Sequence, residues 1–175
     1  MTIAPNRSVR PRIRPPIRPV ADPIDLLSIA QGFARSAASW PDVHDPTERC
    51  WRTIAATDRF EAFVIAWPVG GAIALHDHGD SAGAVVVASG ALVETAVSSD
   101  RDGALVVTSA SVPTGGYIAF DPGYVHDLVN HGPGPSISVH VYSPVLETMT
   151  FFDGADGDVL VPVRTETFRA GRSEP

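Results

Sequence analysis

Three of the six histidines in this 175-residue chain stand at spacings that suit a metal ion. His76 and His78 are separated by one residue, and in an extended strand such neighbours point to the same face, so their ring nitrogens can converge. His126, from the later segment 121–126, is the best candidate for a third imidazole. Three neutral histidines with open coordination positions suit zinc, iron, copper or nickel, so the ligand types alone leave the metal open.

Simpler interpretations exist for the histidines, because an isolated H-x-H pair is a weak signal for a metal. His140 and Tyr142 alternate along a predicted strand and also fit buried residues whose hydrogen bonds are satisfied. His44 and His131 lie in loops, and we interpret them as surface residues. The single cysteine, Cys50, fits a small apolar core residue.

Composition narrows the class of protein. With 44% hydrophobic and 19% charged residues, the chain resembles an ordinary globular domain. One cysteine excludes an internal disulfide and a cysteine-rich zinc site, and it fits a reducing compartment. All thirteen basic residues are arginine, which excludes a lysine Schiff base and a P-loop lysine.

Charge is unevenly distributed along the chain. Residues 1–21 hold five arginines and no acid, whereas all twenty acidic residues follow. The acidic body would repel a phosphate backbone, so we expect no nucleic-acid partner. The arginine- and proline-rich arm predicts a disordered tail, or a tether for acidic partners. No apolar run suits a membrane span or a signal peptide, so we expect a cytoplasmic protein without a membrane partner. We also expect a monomer.

The remaining sequence predicts one helix followed by many strands. Asp22 and Pro23 suit an N-cap and first helical position, and apolar spacing continues a helix to about residue 37. Turn signals at Ser89-Gly90 and at 98–103 predict two hairpins. We predict an arm at 1–21, a domain at 22–163 and a polar tail at 164–175. Runs rich in β-branched and aromatic residues predict strands at 60–67, 84–87, 91–97, 104–108, 117–120 and 136–142. Such a series indicates an all-β barrel or jelly roll with a short N-terminal helical segment.

The glycines around the histidines complete a recognisable frame. The chain resembles the two cupin motifs, G-x5-H-x-H-x3,4-E-x6-G over residues 70–90 and G-x5-P-x-G-x2-H-x3-N over residues 115–130. Gly83 stands where the first motif has its glutamate, and Asp121 where the second has a proline. The resemblance therefore implies a cupin jelly-roll barrel whose metal lacks the usual carboxylate ligand.

A cupin with three histidines and no carboxylate resembles the thiol dioxygenases, in particular the cysteine dioxygenase type I family in its bacterial form. The likeness extends to H-D-H-x-x-S at 76–81, to S-x-H-x-Y-S-P at 138–144, and to Arg52 ahead of the strand that ends at Trp67. It implies that Fe(2+) is held by His76, His78 and His126, that Arg52 binds the substrate carboxylate, and that Ser138, His140 and Tyr142 form a hydrogen-bonded series. Animal enzymes have a cysteine, crosslinked to the tyrosine, where this chain has Gly83.

The expected reaction is the oxidation of L-cysteine by O2 to cysteine sulfinate. Three neutral ligands leave the iron site at +2, which favours an anionic thiolate. Two alternatives stay open: a 3-mercaptopropionate dioxygenase, for which glutamine in place of Arg52 would argue, and a cupin that binds metal without catalysis, as sensor modules do.

Overall fold

One helix and eleven strands make up the part of the chain that the structure, a computed structural model, describes: residues 23–37, 46–156 and 159–168. The elements are α1 (Pro23–Ala37), β1 (Cys50–Ala56), β2 (Glu61–Trp67), β3 (Ala72–His76), β4 (Ala82–Ser89), β5 (Ala91–Ser99), β6 (Leu105–Pro113), β7 (Tyr117–Phe120), β8 (Val125–Val129), β9 (Ser136–Ser143), β10 (Thr148–Asp156) and β11 (Val159–Thr167).

The strands form two antiparallel sheets. The first has the order β1-β2-β9-β4-β7 and the second the order β11-β10-β3-β8-β5-β6. An apolar cluster with members from both sheets, including Phe63, Val85, Leu92 and Leu128, fills the space between them. The prediction of an all-β jelly-roll barrel with a short N-terminal helix is therefore confirmed.

Strand β2, which lies between β1 and β9, is buried along its whole length because both of its faces are covered. Phe63, Ile65 and Trp67 point into the barrel, while the intervening small residues belong to a second cluster beneath the helix. β9 repeats this alternation, with valines and an isoleucine towards the helix. Its other face, which carries Ser138 and Tyr142, is thereby directed into the barrel.

The helix covers the outer face of the first sheet. It spans the predicted residues 23–37, and Leu26 and Ala30 are fully buried in the helix-side cluster. Small residues on β4 and β2, such as Ala84 and Ala66, let the helix approach the sheet closely. Because the helix shields this face from water, the sheet carries apolar side chains on both of its faces.

Several predicted elements differ from the structure. Strands β1, β3, β8, β10 and β11 were not predicted, because they are short or interrupted by polar residues. The hairpin at 98–103 is confirmed between β5 and β6. The prediction of a hairpin at Ser89-Gly90 is wrong, since β4 and β5 belong to different sheets. Gly90, at φ +75°, lies against Ser136, whose hydroxyl bonds to the backbone of Ala91 and fixes the crossover there.

The predicted polar tail, residues 164–175, begins inside β11, which continues to Thr167. Alternating β-branched residues carry the strand on, and Thr165 contacts Thr150 across the β10–β11 ladder. The arm at 1–21, His44 and residues 169–175 lie outside the described residues. Within the described ranges, α1 is too short to cross a lipid bilayer.

We expect Leu26→Ala to destabilise the protein by about 2–5 kcal/mol, because it leaves a cavity between α1 and the first sheet. Urea unfolding followed by circular dichroism measures the free energy of unfolding. The control is Ser28→Ala on the exposed side of the same helix, which should change it by less than about 0.5 kcal/mol. Equal effects of the two substitutions would contradict the packing described here.

Candidate metal centre and cavity

Three buried imidazoles meet inside the barrel, as the motif spacing predicted. His76 ends β3 and lies opposite His126 on β8, while His78 follows in the loop before β4. One ring nitrogen from each lies within 4.8 Å of those of the other two. The strand ends at His76, so His78 reaches the centre from a loop and not from the extended strand that was predicted.

Asp77, between the two histidines, fixes that loop. One of its carboxylate oxygens accepts hydrogen bonds from the backbone N–H groups of Gly79 and Thr150, at 3.1 and 3.0 Å. Its own N–H donates to the carbonyl of Thr150. The loop is thereby attached to β10, which fixes His78 beside His76.

The protonation of the rings suits a cation. Burial, with His126 nearby, lowers the pKa of His76 to about 3, and burial also lowers the pKa of His78. The Nδ1–H of His76 donates to the carbonyl of Ala74 at 2.8 Å, which leaves Nε2 unprotonated in the neutral ring. That Nε2 faces Nε2 of His78 at 3.1 Å. Nitrogens that converge in this way could hold a transition-metal ion, so the residues fit the metal that the motifs imply.

A carboxylate that the sequence analysis missed lies behind the third histidine. Glu94 on β5 accepts a hydrogen bond from Nδ1 of His126 at 2.8 Å and another from the hydroxyl of Tyr124 at 3.1 Å. This directs Nε2 of His126 towards the other two rings and strengthens it as a donor. An acid among the apolar residues of a β strand was the signal that could have revealed it.

An aromatic ring occupies the place of the missing motif glutamate. A Cβ atom on Gly83 would lie 2.4 Å from the ring of Phe120, so a larger residue would displace that ring. Phe120 stacks on His78, with ring centroids 4.6 Å apart. Among the described residues, the cluster of converging donor atoms consists of the three histidines.

The predicted series on β9 forms a continuous chain of hydrogen bonds. Ser138 lies 2.8 Å from Nε2 of His140, and Nδ1 of His140 lies 3.1 Å from the hydroxyl of Tyr142. The period-two spacing brings all three side chains to the inner face of the barrel. The series is extended by Trp67, whose indole N–H donates to Ser138 at 2.8 Å.

The indole fixes the first hydrogen bond of this chain, because it can only donate and Ser138 accepts from it. Burial lowers the pKa of His140, so the ring is neutral and one of its two nitrogens carries the proton. The tautomer of His140 therefore sets the direction of the hydrogen bonds to Ser138 and Tyr142. Burial raises the pKa of Tyr142, so its hydroxyl keeps its proton. With the His140 proton on Nδ1, the tyrosine accepts from the ring and can donate its own proton into the cavity.

A cavity of about 310 Å³ lies beside the histidines. His76, His140 and Tyr142 line its inner end, and Arg49 and Trp51 are also in its wall. The guanidinium carbon of Arg49 lies 5.6 Å from the centre of the Trp67 ring. The cavity therefore combines the imidazole cluster, a hydroxyl donor and a cation.

The predicted carboxylate anchor, Arg52, does not line this cavity. It is exposed and pairs with Val64, a residue whose side chain belongs to the helix-side cluster. Trp51, one position earlier, pairs with Ile65 and points inward. Because neighbouring strand residues face opposite sides, Arg49 and Trp51 face the cavity and Arg52 does not. Cys50 faces the helix side, and His131 is exposed, as was predicted for a surface residue.

Most of the chain matches a known protein family. The family model described as cysteine dioxygenase type I matches residues 20–155. The match includes the three histidines, Glu94 and the series on β9. Strand β11 lies beyond its end.

Solved structures also resemble this chain. An uncharacterized conserved protein with a double-stranded β-helix domain from Klebsiella pneumoniae is 27% identical, with 59% of this chain and 84% of that chain covered and a TM-score of 0.45. The cupin domain of Schizosaccharomyces pombe Cnp3 is 13% identical, with coverage of 59% and 65% and a TM-score of 0.49. A recombinant oxalate oxidase in complex with glycolate is 18% identical, with coverage of 58% and 53% and a TM-score of 0.49.

We expect Glu94→Gln to weaken binding of a divalent transition metal by about 10- to 100-fold, because His126 loses the carboxylate that orients and polarises it. Anaerobic titration of the metal-free protein with iron(II), in competition with a chelating dye, measures the affinity.

The control for charge is Asp102→Asn, in the exposed turn between β5 and β6, which should leave the affinity unchanged. Circular dichroism establishes that both variants fold. Unchanged iron affinity in folded Glu94→Gln would contradict the role given to this carboxylate.

Proposed function

The chain belongs to the cysteine dioxygenase type I family, and from this premise we propose that it is an iron(II) thiol dioxygenase that converts L-cysteine and O2 to cysteine sulfinate. The family and the three-histidine cluster fit a cupin metal-dependent thiol dioxygenase. The iron, the substrate and the roles of individual residues are our proposal. The cytoplasmic location and the monomeric state stay predictions.

One observation carries the proposal: a single cavity is lined by His76 of the imidazole cluster, by Tyr142 and by Arg49. A thiol acid needs three things here, namely a cation centre for its sulfur, a donor beside the reacting atoms, and a guanidinium for its carboxylate. His76, His78 and His126 would hold the iron. Because all three are neutral, the centre keeps a charge of +2 and favours a thiolate.

When bound, iron(II) supplies the redox chemistry by which both atoms of O2 pass to the thiol sulfur. The protein contributes position and hydrogen bonds. Arg49 can hold the substrate carboxylate through two parallel N–H donors, which fixes the far end of the molecule. We assign the proton of neutral His140 to Nδ1, so that the oxygen of Tyr142 accepts from the ring and its hydroxyl donates towards the reacting atoms.

Tyr142 is suited to donate over a wide pH range. Its burial raises the pKa of the phenol, and the charge of Arg49 opposes that rise. The tyrosine therefore stays protonated at neutral pH and offers its proton without ionising. A pocket that only binds metal has no need of a hydrogen-bonded chain that leads to a tyrosine at the cavity, which argues against the non-catalytic sensor alternative.

3-Mercaptopropionate is the second candidate substrate. It shares the thiol and the carboxylate of cysteine but lacks the ammonium group, and the mainly apolar wall of the cavity favours a molecule without that charge. The cavity has an arginine for the carboxylate, Arg49. By the criterion first applied to Arg52, glutamine at this place would favour 3-mercaptopropionate, so the arginine supports cysteine as the substrate.

The reaction is tested with protein loaded anaerobically with iron(II). We expect O2 uptake with L-cysteine and equimolar cysteine sulfinate by mass spectrometry, and about one iron per chain in protein purified without added metal. A larger kcat/KM for 3-mercaptopropionate would transfer the proposal to that substrate. No O2 uptake with either thiol, or stoichiometric zinc in the purified protein, would overturn it.

The two arginines provide a matched pair of variants for the carboxylate anchor. We expect Arg49→Gln to lower kcat/KM for L-cysteine by about 10- to 100-fold, because a charge-assisted pair contributes roughly 1.5–3 kcal/mol. Arg52→Gln removes the same charge from the opposite face of β1 and should change kcat/KM by less than about threefold. Iron content should stay constant in both, and a larger loss for Arg52→Gln would overturn the assignment.

A further inference from the structure

The cavity is larger than the substrate proposed for it. Its volume is about 310 Å³. Even at the ~30 Å³ that a water molecule takes in the liquid, the seven heavy atoms of cysteine fill at most about 210 Å³. His78 and His126 do not line the cavity, so most of the metal site lies outside this volume. Roughly a third of the space is left over beside a bound cysteine.

Much of the cavity wall is apolar. Five aliphatic and aromatic side chains line it together with aromatic rings of the core, and we call these five the apolar chamber: Ile73, Leu128, Leu146, Met149 and Phe168. Leu146 and Met149 are each only 6% exposed, and Phe168 packs against the same cluster. Such a surface offers no hydrogen bonds to water and gains free energy when an apolar group covers it.

The end of the chain contributes part of this wall. Phe168 follows β11, and its N–H donates to the carbonyl of Glu147 at 2.8 Å, which fixes its position. Glu166, on the same strand, also lines the cavity. Both residues lie beyond residue 155, where the family match ends. The cavity is therefore shaped in part by residues that the family match does not include.

The charges in the wall restrict the ligand further. Arg49 is the one arginine among the described lining residues, and Glu166 is the one acid. A single carboxylate can pair with Arg49. Glu166 is paired with Arg164 at 2.9 Å, so its charge is offset and the wall offers a ligand one positive charge, at Arg49. Because most of the remaining wall is apolar, it suits a monocarboxylate whose remaining bulk is uncharged.

We propose that the apolar chamber formed by Ile73, Leu128, Leu146, Met149 and Phe168 is a binding subsite for an apolar group, so that the enzyme oxidises thiol monocarboxylates with an apolar substituent in addition to cysteine. This rests on the proposed thiol dioxygenase activity. The reaction is RSH + O2 → RSO2H: the O–O bond breaks, two S–O bonds form, sulfur is oxidised, O2 is reduced, and the thiol proton stays with the sulfinic acid.

Two compounds that differ only in the apolar group test the proposal: 3-mercaptopropionate and 2-isobutyl-3-mercaptopropionate, whose ten heavy atoms fill about 300 Å³ by the same measure. We expect kcat/KM for the isobutyl compound to be about tenfold higher or more, since burial of a leucine-like side chain contributes roughly 1.5–3 kcal/mol. O2 uptake and sulfinate yield are measured for both, with L-cysteine as reference. Oxidation of cysteine and the parent compound, but equal or poorer oxidation of the isobutyl compound, overturns the subsite alone. Absence of oxidation of all three overturns the proposed function as well.

Variants connect the preference to the chamber. Phe168→Ala should lower the ratio of the two kcat/KM values, isobutyl over parent, by at least about threefold. Val161→Ala, on the exposed side of the same β11 strand, should leave the ratio unchanged. Ile73→Phe, which narrows the chamber, should lower it too and serves where Phe168→Ala does not fold. An unchanged ratio in the folded chamber variants would overturn the proposal.

Discussion

The structure depends on three imidazoles that are buried together with their nitrogens facing one another. Desolvation keeps His76 and His78 neutral. Their Nε2 atoms lie 3.1 Å apart, and a transition-metal ion bound between such nitrogens would satisfy their lone pairs. Much of the surrounding structure serves this convergence. Asp77 attaches the loop of His78 to β10, Glu94 orients His126, and Phe120 stacks on His78 where Gly83 leaves room for it.

The distribution of charge follows from the same constraint. The carboxylate that cupin motifs place on the metal is absent at Gly83, while Glu94 contributes its charge from behind His126. It can thus strengthen a ligand without occupying a coordination position. In the proposed function the centre is open to an anionic thiolate, and Arg49, at the cavity and apart from the three histidines, would supply the positive charge for the substrate's far end.

Continuous hydrogen bonding inside the barrel is a second consequence of burial. Trp67 can only donate, so Ser138 accepts from it, and His140 links Ser138 to Tyr142. A tryptophan that the sequence presents as a core residue is thus part of the chain that ends at the Tyr142 hydroxyl. Strand β9, which carries this series on its inner face, packs against α1 with its other face, so the site and the helix packing share one element.

The sequence by itself determined the helix at 23–37, the strongly apolar strands and the three histidines, because these signals depend on local spacing and residue type. It also indicated the series of Ser138, His140 and Tyr142, because side chains two residues apart point to the same face of any regular strand. Tertiary structure decided that Arg49 and not Arg52 lines the cavity. It also brought Glu94 to His126 and added a residue of β11 to the cavity wall. Those contacts depend on the register between strands distant in the chain, and a shift of one residue turns every side chain of a strand to its opposite face.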